Sequence, residues 1–227
     1  MAVFCLQRTL GTTIKRLSLK RIWIFDLDDT LHDASAQIFP QLNLAMTRYI
    51  METLALDEPA AYKLRQHYWR IYGATLKGLM RHHGTDPYHF LHTTHELMEL
   101  PQMVIKTKRL RHFIQRLSGR KVVFTNAPMS YALRVLDLLG IADLFETVFS
   151  VESTRFHPKP AVRGFRRLLG QLKARPGECV MVEDNLAALR TAKRMGMKTV
   201  HITGTLQKPS YVDARVSSVL KLSRIML

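Results

Sequence analysis

Two cysteines, Cys5 and Cys179, are all the cross-linking capacity in 227 residues. They cannot build the multi-disulfide scaffold of a small secreted domain. Cys179 lies in an apolar run where a buried thiol is the ordinary state, and both points favour a reducing compartment. No apolar run approaches the roughly 18 residues needed to cross a bilayer, so no membrane span is expected. Low-complexity, proline-rich and glycine-rich tracts are also absent. Hydrophobic residues make up 47% and charged residues 23%, the balance of a folded chain rather than a disordered one. Acids are scarce, 18 against 34 lysines and arginines, and the net charge is +16. Such an excess raises the local anion concentration and would speed capture of a phosphorylated substrate, but it would equally draw nucleic acid nonspecifically.

What is present is enough for one good-sized core and a small accessory domain, since a chain of this length buries about 70% of its unfolded surface. Residues 1–20 carry Arg8, Lys15, Arg16 and Lys20 with no acid and no apolar core of a secretory signal, so they are expected to be a basic arm on a cytoplasmic protein. The central stretch is Ile22-Trp23-Ile24-Phe25, a buried strand by its composition, running straight into Asp26-Leu27-Asp28-Asp29-Thr30. Like charges so crowded require a cation or a shared proton.

Helical spacing dominates residues 36–103: Ile38 to Leu56, then a segment opened by Asp57-Glu58-Pro59 and broken near Gly73, then a short helix from Asp86-Pro87. Strands and helices then alternate. Strands are expected at 121–124, 147–149, 179–182 and 199–202. Between them the spacing predicts helices at 107–117, 131–139, 161–169 (stopped by Gly170) and 186–195. Residues 211–216 are a candidate sheet edge and 217–227 a candidate terminal helix. Apolar strands without polar alternation, separated by helices, indicate a parallel sheet of about five strands covered on both faces, an α/β fold with an inserted all-helical region. The expected division is residues 21–35 and 104–227 for the core and 36–103 for the insertion.

Ligands of such sheets bind beyond the carboxyl ends of the strands, and polar residues stand at those ends here. Asp26 and Asp28, joined by Glu183 and Asp184, would offer a hard divalent cation such as Mg²⁺ an oxygen-rich site. Lys159, framed by Pro158 and Pro160, would neutralise phosphate charge, while Thr125 and the amide of Asn126 would bond its oxygens. These are the parts that phosphoryl transfer demands.

The arrangement resembles the haloacid dehalogenase-like hydrolase superfamily, whose Rossmannoid core carries four motifs in this order. Asp-x-Asp-x-Thr matches Asp26 to Thr30, a Thr after the next strand matches Thr125, a lysine matches Lys159, and an acidic pair matches Glu183-Asp184. The resemblance implies that Asp26 is the nucleophile and Asp28 the general acid and base. It further implies that Asp26, the backbone carbonyl of Asp28, Glu183 and Asp184 hold Mg²⁺, with the helical insertion as a small cap. Several stretches are similar to the pyrimidine 5'-nucleotidase branch, among them Tyr72-Gly73-Ala74-Thr75-Leu76-Lys77-Gly78-Leu79, His83-Gly84-Thr85-Asp86-Pro87 and Met181-Val182-Glu183-Asp184-Asn185. The implied substrates are UMP- or CMP-like nucleotides. A phosphatase for a sugar phosphate or phosphoglycolate is the alternative, and a basic nucleic-acid-associated protein with vestigial catalysis is a reading from another class. No nucleic-acid fold signature appears, so specific nucleic-acid binding is not expected; a monomer or homodimer is.

The chain departs from that branch at Asn185, Ala188 and Ala127, where Ser, Asn and Gly are frequent. Among neighbouring residues, Asp29 is expected to be structural and Thr30 to tie down the turn through its hydroxyl. Tyr62, Tyr68, Trp69 and Tyr72 suit the packed core of a cap, and six histidines between His67 and His95 suit packing or surface positions.

Overall fold

The structure, a computed structural model, describes residues 21–107 and 109–225. The basic arm and Cys5 lie outside the described residues. Strand β1 (Ile22–Phe25) is wholly buried because its side chains alternate between two cores, and neither face of the strand meets solvent. Trp23 and Phe25 enter one cluster and Ile22 and Ile24 the other. Around it lie β2 (Arg120–Phe124), β3 (Thr147–Phe149), β4 (Cys179–Glu183), β5 (Lys198–Ile202) and β6 (Ala214–Val216), all pairing in parallel in the order β3-β2-β1-β4-β5-β6. The expected sheet edge at residues 211–216 is therefore a sixth strand, shorter than the segment proposed for it.

Four helices make the insertion: α1 (Ile38–Leu54), α2 (Glu58–Tyr72), α3 (Thr75–His83) and α4 (Pro87–His95). Asp57 caps α2 by accepting from the Ala60 N–H, and Asp86 caps α4 by accepting from the Tyr88 N–H, with proline in the first turn of each. Their core holds Tyr49, Ile50, Tyr68, Leu79 and Phe90. Helices α2 and α3 meet closely at Gly78, where a Cβ would lie 2.2 Å from Tyr68 Cγ. Helix α1 starts against the sheet, through Ile38 and Leu42, and ends in the insertion, through Tyr49 and Ile50.

Helices α5 (Leu100–Met103), α6 (Leu110–Arg116) and α7 (Met129–Leu139) cover one face of the sheet; α8 (Val162–Leu172) and α9 (Leu186–Arg194) cover the other. Helix α8 runs two residues past Gly170, its expected stop, because Leu172 is buried beneath it and the left-handed turn falls at Lys173 instead. Within the expected terminal helix, Val219–Arg224 form a 3₁₀ helix rather than an α-helix. Among the described residues no helix is long and apolar enough to cross a membrane.

Candidate active site

Strand β1 stops at Phe25, yet its pairing with β4 continues for one more residue. The Asp26 N–H donates to the Val182 carbonyl at 2.9 Å, which sets Asp26 beside Glu183, the last residue of β4. The strand order reverses at this pair, and the loops leaving β1 and β4 diverge to leave a crevice. Carboxylate oxygens of Asp26, Glu183 and Asp184 lie there within 4.8 Å of one another.

Lys159 supplies the counter-charge. Its Nζ donates to Asp26 Oδ1 at 2.6 Å and to Glu183 Oε2 at 2.5 Å, with all three side chains nearly sealed from solvent. The lysine expected at the phosphate stands beside the two acids and ties them together. Asn126 fixes the segment that carries it: the Asn126 side chain donates to the Lys159 carbonyl (3.0 Å) and accepts from the Lys159 N–H (2.7 Å). From the insertion, Gly73 adopts φ +75°, and a Cβ there would approach Pro160 Cδ to 3.0 Å, so the α2–α3 turn rests on this lysine segment.

Burial pushes Asp26 up to about 7, aided by Glu183 and opposed by Lys159. Glu183 rises to about 7 from burial, again opposed by Lys159, and burial lifts Asp184 to about 6. Burial works against the charge on Lys159, but Asp26 and Glu183 more than offset it and hold the ammonium protonated beyond its ordinary range. Three acids and one cation leave a buried excess of negative charge on an all-oxygen donor set. That set fits a hard divalent cation such as Mg²⁺.

Asp28 stands apart from this cluster. Its Oδ1 accepts from the Tyr131 hydroxyl at 2.7 Å and faces His32 Nε2 at 3.0 Å. Asp29, at φ +58°, turns its carboxylate away to accept from the Ala34 and Ser35 N–H groups and the Ser35 hydroxyl, a structural role. Thr30 behaves differently from expectation. Its buried hydroxyl has no partner among the described residues, so the turn is held by Asp29 instead. Thr125 is 1% exposed at the end of β2 and accepts from the Ala127 N–H at 3.0 Å.

The acidic loop is braced from both sides. Asn185 caps α9 by accepting from the Ala187 and Ala188 N–H groups, and its own N–H donates to Glu183 Oε1 at 3.1 Å. His201 Nε2 meets the Asp184 carbonyl at 2.9 Å. Sequence reasoning missed His32, Tyr131 and His201. Only His32 carried a signal, its four-residue spacing from Asp28; the other two come from elements far along the chain.

Above these groups opens a cavity of about 1370 Å³, floored by Asp26, Asp28 and Lys159 and walled by residues of α1, α2 and α4 such as Asn43, Arg65 and His95. Trp69 borders it while 62% exposed, so it is not part of the insertion's packed core, unlike Tyr68. His92 and His95, one helical turn apart, do not converge: His92 reaches Glu96, and His95 packs on Tyr131.

Fold and site together define a doubly wound α/β protein with acids gathered at the switch point of a parallel sheet and a helical insertion alongside. The haloacid dehalogenase-like hydrolase family matches residues 21–196, and the chain belongs to it. It is 25% identical over 207 residues to Phosphate metabolism protein 8 of Saccharomyces cerevisiae, covering 84% of this chain but only 64% of that protein's length. It is 27% identical to Pyrophosphatase PpaX of Bacillus mycoides over 221 residues, 89% of this chain and 96% of that one. A HAD phosphatase from Thermococcus onnurineus shares the fold, with a TM-score of 0.66 at 20% identity over 90% of this chain and 96% of that one.

Proposed function

We propose that the protein is a Mg²⁺-dependent phosphomonoesterase working through an aspartyl-phosphate, with pyrimidine nucleoside 5'-monophosphates as its favoured substrates. The observation that carries the chemistry is the meeting of Asp26, Lys159, Glu183 and Asp184 at one buried point below an open cavity that Asp28 also lines. The yeast relative, Phosphate metabolism protein 8, carries a name that agrees with it.

In this reading an Asp26 oxygen attacks phosphorus, forming an acyl phosphate as the ester P–O bond breaks. Asp28 gives its proton to the departing alkoxide. It then takes one from the water that attacks the same phosphorus, which releases inorganic phosphate and restores Asp26. Lys159 opposes the upward shift of Asp26 and aims its carboxylate, and Thr125 and Asn126 line the phosphate end. Asp26, Glu183, Asp184 and the Asp28 carbonyl would hold Mg²⁺, which when bound supplies positive charge to the phosphoryl oxygens.

The nucleotide preference rests on the cap stretches similar to the pyrimidine branch and on Trp69 and Tyr72 at the cavity, where aromatic faces can take a base. We place the activity in the cytoplasm, in keeping with the buried free thiol of Cys179. Turnover of a phosphomonoester panel with Mg²⁺ tests the reading. The expected result is hydrolysis abolished by Asp26→Ala, with UMP and CMP preferred. Activity unchanged in Asp26→Ala overturns the mechanism, and a preference for a sugar phosphate or phosphoglycolate overturns the substrate class alone.

A further inference from the structure

Asp28 is held by only one of its two oxygens. Both neighbours that reach it converge on Oδ1: the Tyr131 hydroxyl at 2.7 Å, from the first turn of α7, and His32 Nε2 at 3.0 Å, from the loop after β1. Oδ2 makes no hydrogen bond among the described residues and is not sealed from solvent, while Asp28 itself lines the cavity.

Both partners are built to donate. Tyr131 is 2% exposed, and burial, followed by the charge of Asp28, keeps its hydroxyl protonated far past the ordinary phenol range. The His32 ring is equally enclosed; its Nδ1 is buried without a partner, so the hydrogen belongs on the nitrogen facing the carboxylate. A buried ring nitrogen without a partner is unfavourable for a residue kept only for packing. The other nitrogen's bond to Asp28 is what the site retains. The insertion contributes too: His95 of α4 packs edge-on against the Tyr131 ring, with centroids 5.9 Å apart at 75°.

We propose that Tyr131 and His32 are positioning residues for the acid-base step, pinning Asp28 through Oδ1 so that Oδ2 alone exchanges protons with the leaving oxygen and the attacking water. With two donors already at Oδ1, a protonated Asp28 has room for its hydrogen only on Oδ2. The carboxylate plane is then fixed by two anchors from different elements, and removing one leaves the other in place. The inference rests on the phosphomonoesterase reading, because it assigns orientation to a residue that reading makes the proton carrier.

The test exploits leaving groups. A 4-nitrophenolate departs without a proton, whereas an alkoxide such as that of glycerol phosphate needs one. Wild type, Tyr131→Phe, His32→Leu, His32→Gln and the double variant Tyr131→Phe/His32→Leu are compared with Mg²⁺ on both esters. Single-turnover release reads the first step and thermal melting reads folding.

In the double variant, release of the alkoxide should slow by about 100-fold and that of 4-nitrophenolate by less than about 10-fold, with KM nearly unchanged. Each single variant should lose less than its share of the double loss, because one anchor remains. His32→Gln, which returns an N–H donor near the position of Nε2, should recover most of the His32→Leu deficit.

Equal losses on the two esters, or no loss on either, overturn the inference while leaving the phosphatase reading intact. Should the double variant fail to fold, the same comparison in Tyr131→Phe alone decides, since that change keeps the ring and its contact with His95. A wild-type protein that turns over neither ester, nor UMP or CMP, whose leaving group is also an alkoxide, overturns the phosphatase reading, and this inference with it.

Discussion

Lys159 sits between two buried carboxylates, and each of the three depends on the others for its charge state. Lys159→Met keeps the length of the side chain but leaves Asp26 and Glu183 unpaired in a place where charge is costly. The expected loss of stability is about 3–5 kcal/mol, read by urea denaturation, together with loss of turnover. A loss below about 1 kcal/mol would mean that the acids find another partner. A second expectation follows from the acids themselves. Burial holds Asp26 and Glu183 at about 7 and Asp184 at about 6, above the ordinary carboxylate range, so the folded chain binds more protons than the unfolded one between about pH 4 and 7. That contribution to stability is full below the unfolded carboxylate value and is lost as pH rises through about 7. His95, which burial lowers to about 4, acts in the opposite sense: its contribution is lost as pH falls from 6.5 toward 4 and is complete above that window. With Mg²⁺ chelated, raising the pH from about 6.5 to about 8 should therefore lower Tm by roughly 2–4 °C, and restoring Mg²⁺ should reverse the fall. A Tm that climbs over that interval contradicts the raised acids.

Among the elements, helix α9 does more than cover the sheet. Its cap residue Asn185 satisfies two amides of the first turn with its side chain and donates its backbone N–H to Glu183, so one residue joins the helix start to the acidic loop. Asn185→Ala removes the cap but keeps the N–H to Glu183, so it should cost about 1 kcal/mol in a denaturant titration and weaken Mg²⁺ binding in calorimetry only through the loosened helix start. Unaltered Mg²⁺ affinity would uncouple the helix from the site. Much at this scale was legible in the sequence, because caps and apolar periodicity are local: Asp57 and Asp86 with their prolines mark the starts of α2 and α4, and Gly140 marks the end of α7. The misreadings have a tertiary cause. Gly170 reads as a stop, but Leu172 has a buried place waiting, and the extra burial draws the helix onward. Trp69 has the spacing of a core residue, yet only a three-dimensional arrangement decides which face of α2 meets its neighbours, and Trp69 is left on the open side.

For the molecule as a whole, the charge of +16 surrounds a site that is itself rich in acids. The surrounding field draws anions in and is screened by salt, so kcat/KM for a phosphoester should fall several-fold between about 20 and about 300 mM salt while kcat changes little. Salt-independent kcat/KM would assign the basic surface to another partner. The chain by itself determined the strands, their parallel class, the long helical insertion and the four separate motifs, since each is written in residues close together in sequence. Only the tertiary structure decided that Lys159 bridges Asp26 and Glu183, that Tyr131 grips Asp28 from 103 residues away, and that the turn at Gly73 rests on Pro160. Those contacts depend on which strands become neighbours and how the insertion is set down on the core. Both are settled by burial of apolar surface across the whole fold, and no local pattern of residues records them.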